Sequence, residues 1–252
     1  MGWTGYAIKR TSTEEPSIYD MDKDFLQIWA TSPTSTRPLQ KYTQTKIERA
    51  FALYKAVEFV TAHRIEGDLV ECGVWRGGMV MLMAYALERF GDTSRHLHLF
   101  DTFKGMTEPS EIDVRAGSRK AARERWEKRQ AATHNKWGYV GIDDVRANMA
   151  LTRYPANNIH FHEGNVTKTL PCEDVKKISI LRLDTDWYES TRHGLVHLYP
   201  KLAAGGFCII DDYAEWEGAR KAVDEYIAEH KLKVFLNRVD RSCRQFQKVA
   251  DL

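Results

Sequence analysis

The chain has 252 residues, with 37 Lys and Arg against 35 Asp and Glu, so its formal net charge is only +2. This balance argues against nucleic acid or an anionic membrane as a partner. Hydrophobic residues make up 43% and charged residues 29%, which is typical of a folded globular protein and excludes the disordered and collagen-like classes.

Residues 1–40 are predicted to form an N-terminal arm. They combine Thr, Ser, Pro and charged residues with one short apolar patch, which consists of Phe25, Leu26, Ile28 and Trp29. Such a patch suits docking on the body of the protein or on a second subunit, so we expect a homo-oligomer.

The sequence gives no sign of a targeting or membrane segment. The N-terminus carries acids and prolines where a secretory signal has an apolar stretch, and the longest apolar run, residues 79–87, is too short for a bilayer. The four cysteines, Cys72, Cys172, Cys208 and Cys243, are scattered without the CxxC spacing of a zinc site. We therefore expect reduced, mostly buried thiols in a cytoplasmic protein with no membrane partner.

Residues 41–252 are predicted to form one domain, because segments with helical and strand periodicity alternate along them. In chain order we predict helix 43–60, strand 68–74, helix 77–90, strand 96–101, helix 142–153, strands 158–164 and 177–184, helix 189–202, strand 205–212, helix 216–229, and a terminal strand pair, 232–237 and 244–249. This alternation predicts an α/β fold: a mostly parallel sheet, helices on both faces, and ligands at the carboxyl ends of the strands.

Residues 104–140 interrupt the alternation and are predicted to form an inserted lid. Within them, residues 115–129 contain seven basic and two acidic side chains. A nucleic-acid surface is one interpretation of such a stretch. Glu124 and Glu127 lie at helical spacing from lysines, however, so a solvated helix or a subunit contact is the better one. We expect no nucleic-acid partner.

The first motif that carries chemistry joins the first predicted strand to a helix. Its sequence, ECGVWRGG over residues 71–78, places glycines where backbone amides can approach a ligand at a helix N-terminus. It is not GxGxxG, so a pyrophosphate site is poorly supported, and Glu71 fits a cationic ligand better than a phosphate. A tight turn without any ligand is the alternative interpretation.

The second motif is a single acid, Asp101, at the end of the next predicted strand. A carboxylate there can accept hydrogen bonds from both hydroxyls of a ribose. Enzymes that use NAD and enzymes that use S-adenosylmethionine share this feature, so it does not separate them. A solvated acid at a strand end is the alternative.

The third motif is the most specific. Asp184 and Asp186 follow one predicted strand, and Asp211 and Asp212 close the next. If these strands are neighbours, the carboxylates meet at one edge of the sheet, where they repel each other unless a proton or a cation lies between them. An all-oxygen site favours Mg²⁺ over zinc. His134, in the predicted lid, is a weaker candidate for a catalytic group.

These motifs, together with DTFKGM, LYPKLAAGGFCIIDDY and GARKAVDEY, resemble those of the macrocin O-methyltransferase family. The resemblance runs from about residue 42 to the C-terminus, with the motifs in the family's order. It implies a Rossmann-like class I methyltransferase fold with a seven-stranded sheet. It also implies metal-dependent transfer of a methyl group from S-adenosylmethionine to a sugar hydroxyl, in antibiotic or glycan biosynthesis.

The resemblance further implies roles for single residues. Asp184, Asp211 and Asp212 match the family's magnesium ligands. Asp186 matches the position of its general base, and Asp101 matches its ribose-binding acid. The predicted cofactor-binding set is Thr43, Glu71, Gly73, Trp75, Arg76, Gly77, Asp101, Thr102 and Asn165.

The leading interpretation is therefore a Mg²⁺-dependent O-methyltransferase with a hydroxylated sugar as its small-molecule acceptor. Two alternatives use the same Asp-x-Asp motif. A phosphohydrolase of the haloacid dehalogenase type carries it on the first core strand, whereas 183 residues precede Asp184 here. A glycosyltransferase leaves residues 71–78 and the second aspartate pair without a role. A binding protein without turnover is also left open.

Overall fold

The computed structural model describes residues 18–31 and 37–249, so the N-terminal stretch examined for a secretory signal lies outside the described residues. Short 3₁₀ helices cover Leu39–Lys41, Ala156–Asn158 and Tyr199–Lys201. In chain order the helices and strands are α1 (Lys23–Thr31), α2 (Ile47–Ala62), β1 (Asp68–Cys72), α3 (Gly78–Phe90), β2 (Leu97–Asp101), α4 (Ala122–Glu127), α5 (Ile142–Ala150), β3 (Ile159–Glu163), α6 (Val166–Thr169), β4 (Ile178–Leu183), α7 (Tyr188–Leu198), β5 (Leu202–Ile210), α8 (Glu217–Glu229), β6 (Asn237–Arg238) and β7 (Arg244–Gln247).

The strands form one seven-stranded sheet in the order β3-β2-β1-β4-β5-β7-β6. Strands β1 to β5 pair in parallel, whereas β7 runs antiparallel to both β5 and β6. This confirms the predicted mostly parallel α/β fold. The strand order reverses between β1 and β4, and a crevice opens beyond their carboxyl ends in sheets of this kind.

Alternate side chains of the strands face two separate apolar layers. Leu69 and Leu99 point to the layer that α1, α2, α3 and α5 cover. Val70 and Leu181 point to the layer that α6, α7 and α8 cover. The sheet is therefore buried on both faces, which explains why its central strands are almost wholly apolar.

Helix α3 is the most apolar helix and lies beside the crevice. Gly77 at its N-cap and Gly91 at its C-cap both have positive φ, and the second ends the helix where the sequence predicts. Within residues 18–31 and 37–249, no helix combines the length and the apolar character that crossing a bilayer requires.

The apolar patch of the arm packs on the chain's own body. Phe25 in α1 is fully buried, and its ring centroid lies 5.1 Å from that of Phe51 and 5.4 Å from that of Tyr54, both in α2. The patch therefore does not need a second subunit to cover it. Self-association stays a prediction without this support, and the division of the chain near residue 40 stays a prediction as well.

The predicted strand over residues 232–237 is wrong for all but its last residue. Leu232, Val234 and Leu236 are half-buried against the core while the residues between them are exposed, so the alternation is real. This stretch forms no ladder with any strand in the described part of the chain; only Asn237 and Arg238 pair with β7. Side-chain periodicity records burial, not backbone pairing, and the two differ here.

One buried acid, Asp113, links residues 104–140, the segment predicted as a lid and called the lid below, to the body of the protein. Asp113 is 1% exposed. Its Oδ1 accepts from the amide of Tyr188, the first residue of α7 (2.8 Å), and its Oδ2 accepts from the amide and hydroxyl of Ser110 (both 2.7 Å). Helix α8 passes so close that a Cβ on Gly218 would lie 1.9 Å from Asp113 Oδ1. The lid thus supplies a hydrogen-bond acceptor for the first amide of α7, the helix that follows Asp184 and Asp186.

Tryptophans complete the lid contact. The ring of Trp137 from the lid packs 5.5 Å from that of Trp187 and 6.0 Å from that of Trp216, both from the body. Trp187 Nε1 donates to the carbonyl of Thr107 (3.0 Å). Aromatic burial and satisfied ring N–H groups together hold the lid against the carboxyl edge of the sheet.

We expect Asp113→Ala to lower the free energy of unfolding by about 1 to 3 kcal/mol, because it leaves the amides of Tyr188 and Ser110 without their carboxylate acceptor. Urea denaturation measures this change. Glu111→Ala is the matched control, since Glu111 is an exposed acid in the same segment. Equal stabilities of the two variants would contradict a fastening role for Asp113.

Candidate active site

A cleft of about 410 Å³ opens at the carboxyl ends of β1 and β4, between the lid and the sheet. It is lined by most of the residues that the sequence predicts for cofactor, metal and proton transfer. These are Thr43, Glu71, Gly73, Trp75, Asp101, Thr102, Asn165, Asp184, Asp186, Asp211 and Asp212.

The loop after β1 bends at Gly73, where only glycine fits. Its φ is +82°, and a Cβ there would lie 1.9 Å from the carbonyl oxygen of Asp184 on the neighbouring strand. Gly78 has a packing reason of its own: a Cβ would lie 2.4 Å from the Tyr42 carbonyl, to which the Gly78 amide donates (3.0 Å). The loop is therefore drawn against both β4 and the segment before α2.

Asp101 is bound to this loop by hydrogen bonds. Its Oδ2 accepts from the amides of Val74 (2.7 Å) and Trp75 (3.2 Å), and its Oδ1 accepts from the amide of Phe103 (2.8 Å). Burial raises the pKa of Asp101, against the effect of these amides, which lower it. The carboxylate therefore holds the loop in place in addition to facing the cleft.

Glu71 is 2% exposed and pairs through Oε1 with the buried guanidinium of Arg182. Its other oxygen, Oε2, is buried and has no hydrogen-bond partner among the described residues. Burial raises the pKa of Glu71 to about 8, although Arg182 opposes the shift. Glu71 lines the cleft, so a cationic group of a ligand there would favour the ionised form of Glu71 and would find in Oε2 an acceptor without a partner in the protein.

Arg182 lies at the centre of a buried ion-pair network. Besides Glu71 it pairs with Asp184 (2.8 Å) and with Asp211 Oδ1, and Asp211 Oδ2 pairs with Arg49 of α2. Burial lowers the pKa of Arg182, but the three carboxylates more than reverse this effect, so the guanidinium stays charged. Both oxygens of Asp211 are thus engaged by arginines.

Asp212 is the acid of this group whose charge is least compensated. Its Oδ2 is buried without a hydrogen-bond partner in the part of the chain that the structure describes. Burial raises the pKa of Asp212, and the charges of Asp186, Asp184 and Asp211 raise it further. One ligand oxygen from each of Asp184, Asp211 and Asp212 lies within 4.8 Å of the others. This all-oxygen, negatively charged arrangement fits a hard divalent cation.

Asp186 lines the cleft, but its backbone geometry differs from the one that the sequence predicts. An extended chain would project Asp186 on the same side as Asp184, and a cap of the following helix is the alternative role that the sequence allows. The φ of Asp186 is +61°, so the chain is not extended there and the first expectation is wrong. Its Oδ1 instead accepts from Trp216 Nε1 (2.7 Å), which fixes the carboxylate in the cleft wall. Asp113 accepts from the first amide of α7, so Asp186 does not cap this helix.

Three predicted residues do not line the cleft. Arg76 is exposed and donates to the carbonyl of Lys41 (3.2 Å). Gly77 is buried at the N-cap of α3, where it shapes the loop. His134 stacks on Tyr139, with ring centroids 3.9 Å apart, and is not among the residues that line the cleft. The structure therefore gives His134 no support as a catalytic group.

Several site residues were not found from the sequence. Arg182 could have been found, since a charged residue inside the otherwise apolar strand β4 needs buried partners. Arg49, Glu215 and Arg241 also lie in the cleft wall, but each comes from a helix or loop whose sequence gives no indication of it. Their positions depend on how those segments pack.

Comparison with known proteins agrees with the motif order. The family model described as Macrocin-O-methyltransferase (TylF) matches residues 15–248. The 8-demethyl-8-(2,3-dimethoxy-alpha-L-rhamnosyl)-tetracenomycin-C 4'-O-methyltransferase of Streptomyces olivaceus is 36% identical over 203 residues, which are 81% of this chain and 74% of that protein. The demethyldecarbamoylnovobiocin O-methyltransferase of Streptomyces niveus is 35% identical over 204 residues, again 81% of this chain and 74% of the relative.

Solved structures give the same result. The structure of the O-methyltransferase NovP aligns over 89% of this chain and 88% of its own, with a TM-score of 0.71 and 29% identity. The calicheamicin methyltransferase CalS11 covers 88% of this chain and 89% of its own at 15% identity and a TM-score of 0.63, which shows the fold alone. Since the family model spans almost the whole chain and two relatives exceed a third identity over most of it, this chain belongs to the macrocin O-methyltransferase family.

Proposed function

We propose that this protein is a Mg²⁺-dependent O-methyltransferase that moves a methyl group from S-adenosylmethionine to a sugar hydroxyl in natural-product or glycan biosynthesis. One observation carries the proposal. A single cleft is lined by Glu71, whose Oε2 has no hydrogen-bond partner among the described residues, and by a group of aspartates that includes Asp212, with which no arginine pairs. The first suits a cationic cofactor, and the second suits a hard metal ion.

The residues of the cleft fit S-adenosylmethionine, which supplies an electrophilic methyl group on a sulfonium when bound. Glu71 Oε2 is the open acceptor for the ammonium of its amino-acid part. Asp101 faces the cleft at the end of β2, where a ribose hydroxyl can reach the lone pair of Oδ1 that the Phe103 amide does not use. Thr43, Thr102 and Asn165 complete the proposed contacts.

The proposed metal ligands are Asp184, Asp211 and Asp212. A Mg²⁺ ion bound there would lower the pKa of a neighbouring hydroxyl and fix its orientation toward the methyl donor. The chain's own contribution is the position of Asp186, whose carboxylate accepts from Trp216 and pairs with neither arginine of the network, so it can serve as the proton acceptor. Trp137 of the lid lines the cleft and packs against Trp216, the hydrogen-bond donor to Asp186.

A sugar is the proposed acceptor because the names of the relatives point to one. The Streptomyces olivaceus protein is named for a rhamnosyl tetracenomycin, and a further relative from Micromonospora griseorubida, 28% identical over 204 residues, is named mycinamicin III 3''-O-methyltransferase. The phosphohydrolase and glycosyltransferase alternatives lose their support, because the family is one of methyltransferases. The four thiols are free, as expected for the proposed cytoplasmic location.

A thermal-shift comparison tests the proposal. S-Adenosylhomocysteine at about a hundred times its Kd should stabilise the fold by about 2.7 kcal/mol, which is roughly 5 to 10 °C in Tm for a chain of this size. UDP-glucose and inorganic phosphate should give no shift. A shift with either of them and none with S-adenosylhomocysteine would reverse the assignment.

Asp101→Ala is expected to weaken S-adenosylhomocysteine binding by about 1 to 3 kcal/mol, because it removes a ribose acceptor and frees the loop amides of Val74 and Trp75. Isothermal titration calorimetry measures the affinity. Glu163→Ala is the control, since Glu163 pairs with Asp101 in the strand register but lies outside the cleft. Unchanged affinity in Asp101→Ala would rule out the ribose contact.

A further inference from the structure

The edge strand β3 carries a second group of metal-ligand side chains, outside the cleft. His162 lies on β3, and Cys172 and Asp174 lie in the loop between α6 and β4. One donor atom from each of them, an imidazole nitrogen, the thiol sulfur and a carboxylate oxygen, lies within 4.8 Å of the others. The sequence spacing did not indicate this group, because it lacks CxxC and forms only when the loop folds back on β3.

The ring of His162 is held in one orientation. It stacks on Phe100 of β2 with centroids 4.1 Å apart and an interplanar angle of 12°. Its Nε2 lies 3.1 Å from Nδ1 of His98, which is buried in the same strand layer. The remaining ring nitrogen, Nδ1, faces Cys172 Sγ at 3.8 Å. Packing therefore directs this nitrogen at the thiol.

The charge of Asp68 favours one arrangement of protons along this row of histidines. His98 Nε2 has no hydrogen-bond partner among the described residues, but a carboxylate oxygen of Asp68 lies 3.6 Å away, and its negative charge favours a proton on Nε2. With its proton on Nε2, His98 accepts at Nδ1, so His162 donates from Nε2. The lone pair of His162 is consequently on Nδ1, directed at Cys172 and Asp174. A metal-bound histidine typically donates its other N–H in this way.

The carboxylate of Asp174 completes the group. Asp174 is exposed, and one of its carboxylate oxygens lies within 4.8 Å of the donor atoms of His162 and Cys172. A nitrogen, a sulfur and an oxygen donor thus already face one another.

We propose that His162, Cys172 and Asp174 bind a borderline-soft divalent cation, Zn²⁺ first, with water as the fourth ligand. Nitrogen, sulfur and oxygen donors together suit zinc and not Mg²⁺. The observed separation of 3.8 Å between Nδ1 and Sγ is close to the roughly 3.5 Å that tetrahedral Zn–N and Zn–S bonds give. On binding, the thiol of Cys172 releases its proton to solvent and the thiolate forms the metal bond.

The site would join the edge strand to the loop that leads into β4. It is independent of the proposed methyl transfer, since its three ligands lie outside the cleft. It does share a chain segment with the cleft, because residues 164–166, between His162 and Cys172, are among the lining residues. A bound ion would therefore stabilise residues 164–166 from outside the cleft.

Cobalt(II) titration of the purified protein in excess Mg²⁺ tests the proposal. We expect one equivalent of Co²⁺ to produce a thiolate-to-cobalt charge-transfer band with the visible bands of tetrahedral coordination, and Zn²⁺ to displace it. The oxygen ligands of the cleft cannot produce the thiolate band. The other three cysteines are fully or almost fully buried, at 0 to 1% exposure, so the band reports on Cys172.

Cys172→Ser should abolish the charge-transfer band, and His162→Gln and Asp174→Asn should each weaken Co²⁺ binding by about tenfold or more. His63→Gln, at an exposed position after α2, is the matched control and should bind as the original protein does. Circular dichroism and Tm verify that each variant is folded. Absence of the band in the original protein, or its persistence in Cys172→Ser, would overturn the proposal.

Discussion

Replacing Asp186 with asparagine is expected to slow methyl transfer by about 10²- to 10⁴-fold, the range for loss of a general base. The reason lies in its surroundings. Asp186 Oδ1 accepts from Trp216 Nε1 (2.7 Å), and the amide oxygen of asparagine can keep this bond, so the side chain keeps its position. What the variant loses is the ability to take a proton. Cofactor affinity, Mg²⁺ affinity and Tm should therefore remain nearly unchanged.

The measurement is the rate of S-adenosylhomocysteine formation, with demethyldecarbamoylnovobiocin as the first acceptor to try because a relative is named for it. Glu189→Gln is the matched control, an exposed acid in the first turn of α7 that follows the same loop. It should transfer methyl groups at the original rate. A near-normal rate in Asp186→Asn would assign the base to another group.

Exhaustive chelation is expected to reduce methyl transfer to the background rate, with recovery on addition of Mg²⁺. Asp212→Asn should lower turnover by about 10²- to 10³-fold, the cost of losing a preorganised electrostatic contact in the transition state. Asp212 is the better choice for substitution because it pairs with neither Arg182 nor Arg49, so its replacement leaves no buried guanidinium short of a counter-charge.

Asp211 is unsuitable for the same test. Its oxygens pair with Arg182 and Arg49, so its loss would leave two guanidinium groups short of a counter-charge in a buried network. Breaking such a network costs about 3 to 5 kcal/mol of stability, and lower activity would then report unfolding as well as metal loss. The two neighbouring aspartates thus differ in role although the sequence presents them as a pair.

Calorimetry separates the metal from the cofactor. Asp212→Asn should bind Mg²⁺ more weakly and S-adenosylhomocysteine about as tightly as the original protein. Asp143→Asn is the control, since this acid lies on α5 with its side chain 92% exposed. Full turnover after chelation would contradict the metal proposal while leaving the family membership and the cofactor proposal intact.

The aspartates that follow β4 and β5 were only partly predictable from the sequence. A run of apolar residues closed by acids predicts a buried strand that delivers carboxylates to one edge of the sheet. The register confirms it, since Leu183 of β4 pairs with Ile210 of β5 and the following aspartates meet. The prediction for Asp186 failed in its geometry, because a left-handed residue ended the extended backbone.

The sequence by itself determined the α/β class, the order of helices and strands, and the acids at the strand ends, because these depend on local periodicity and on the rule that parallel strands end together. Only the tertiary structure decided the partners of those acids. Arg182 meets Glu71 across 111 positions, and Asp113 caps α7 across 75 positions. Such pairs depend on how strands and loops pack in three dimensions, and a pattern of neighbouring residues carries no record of that packing.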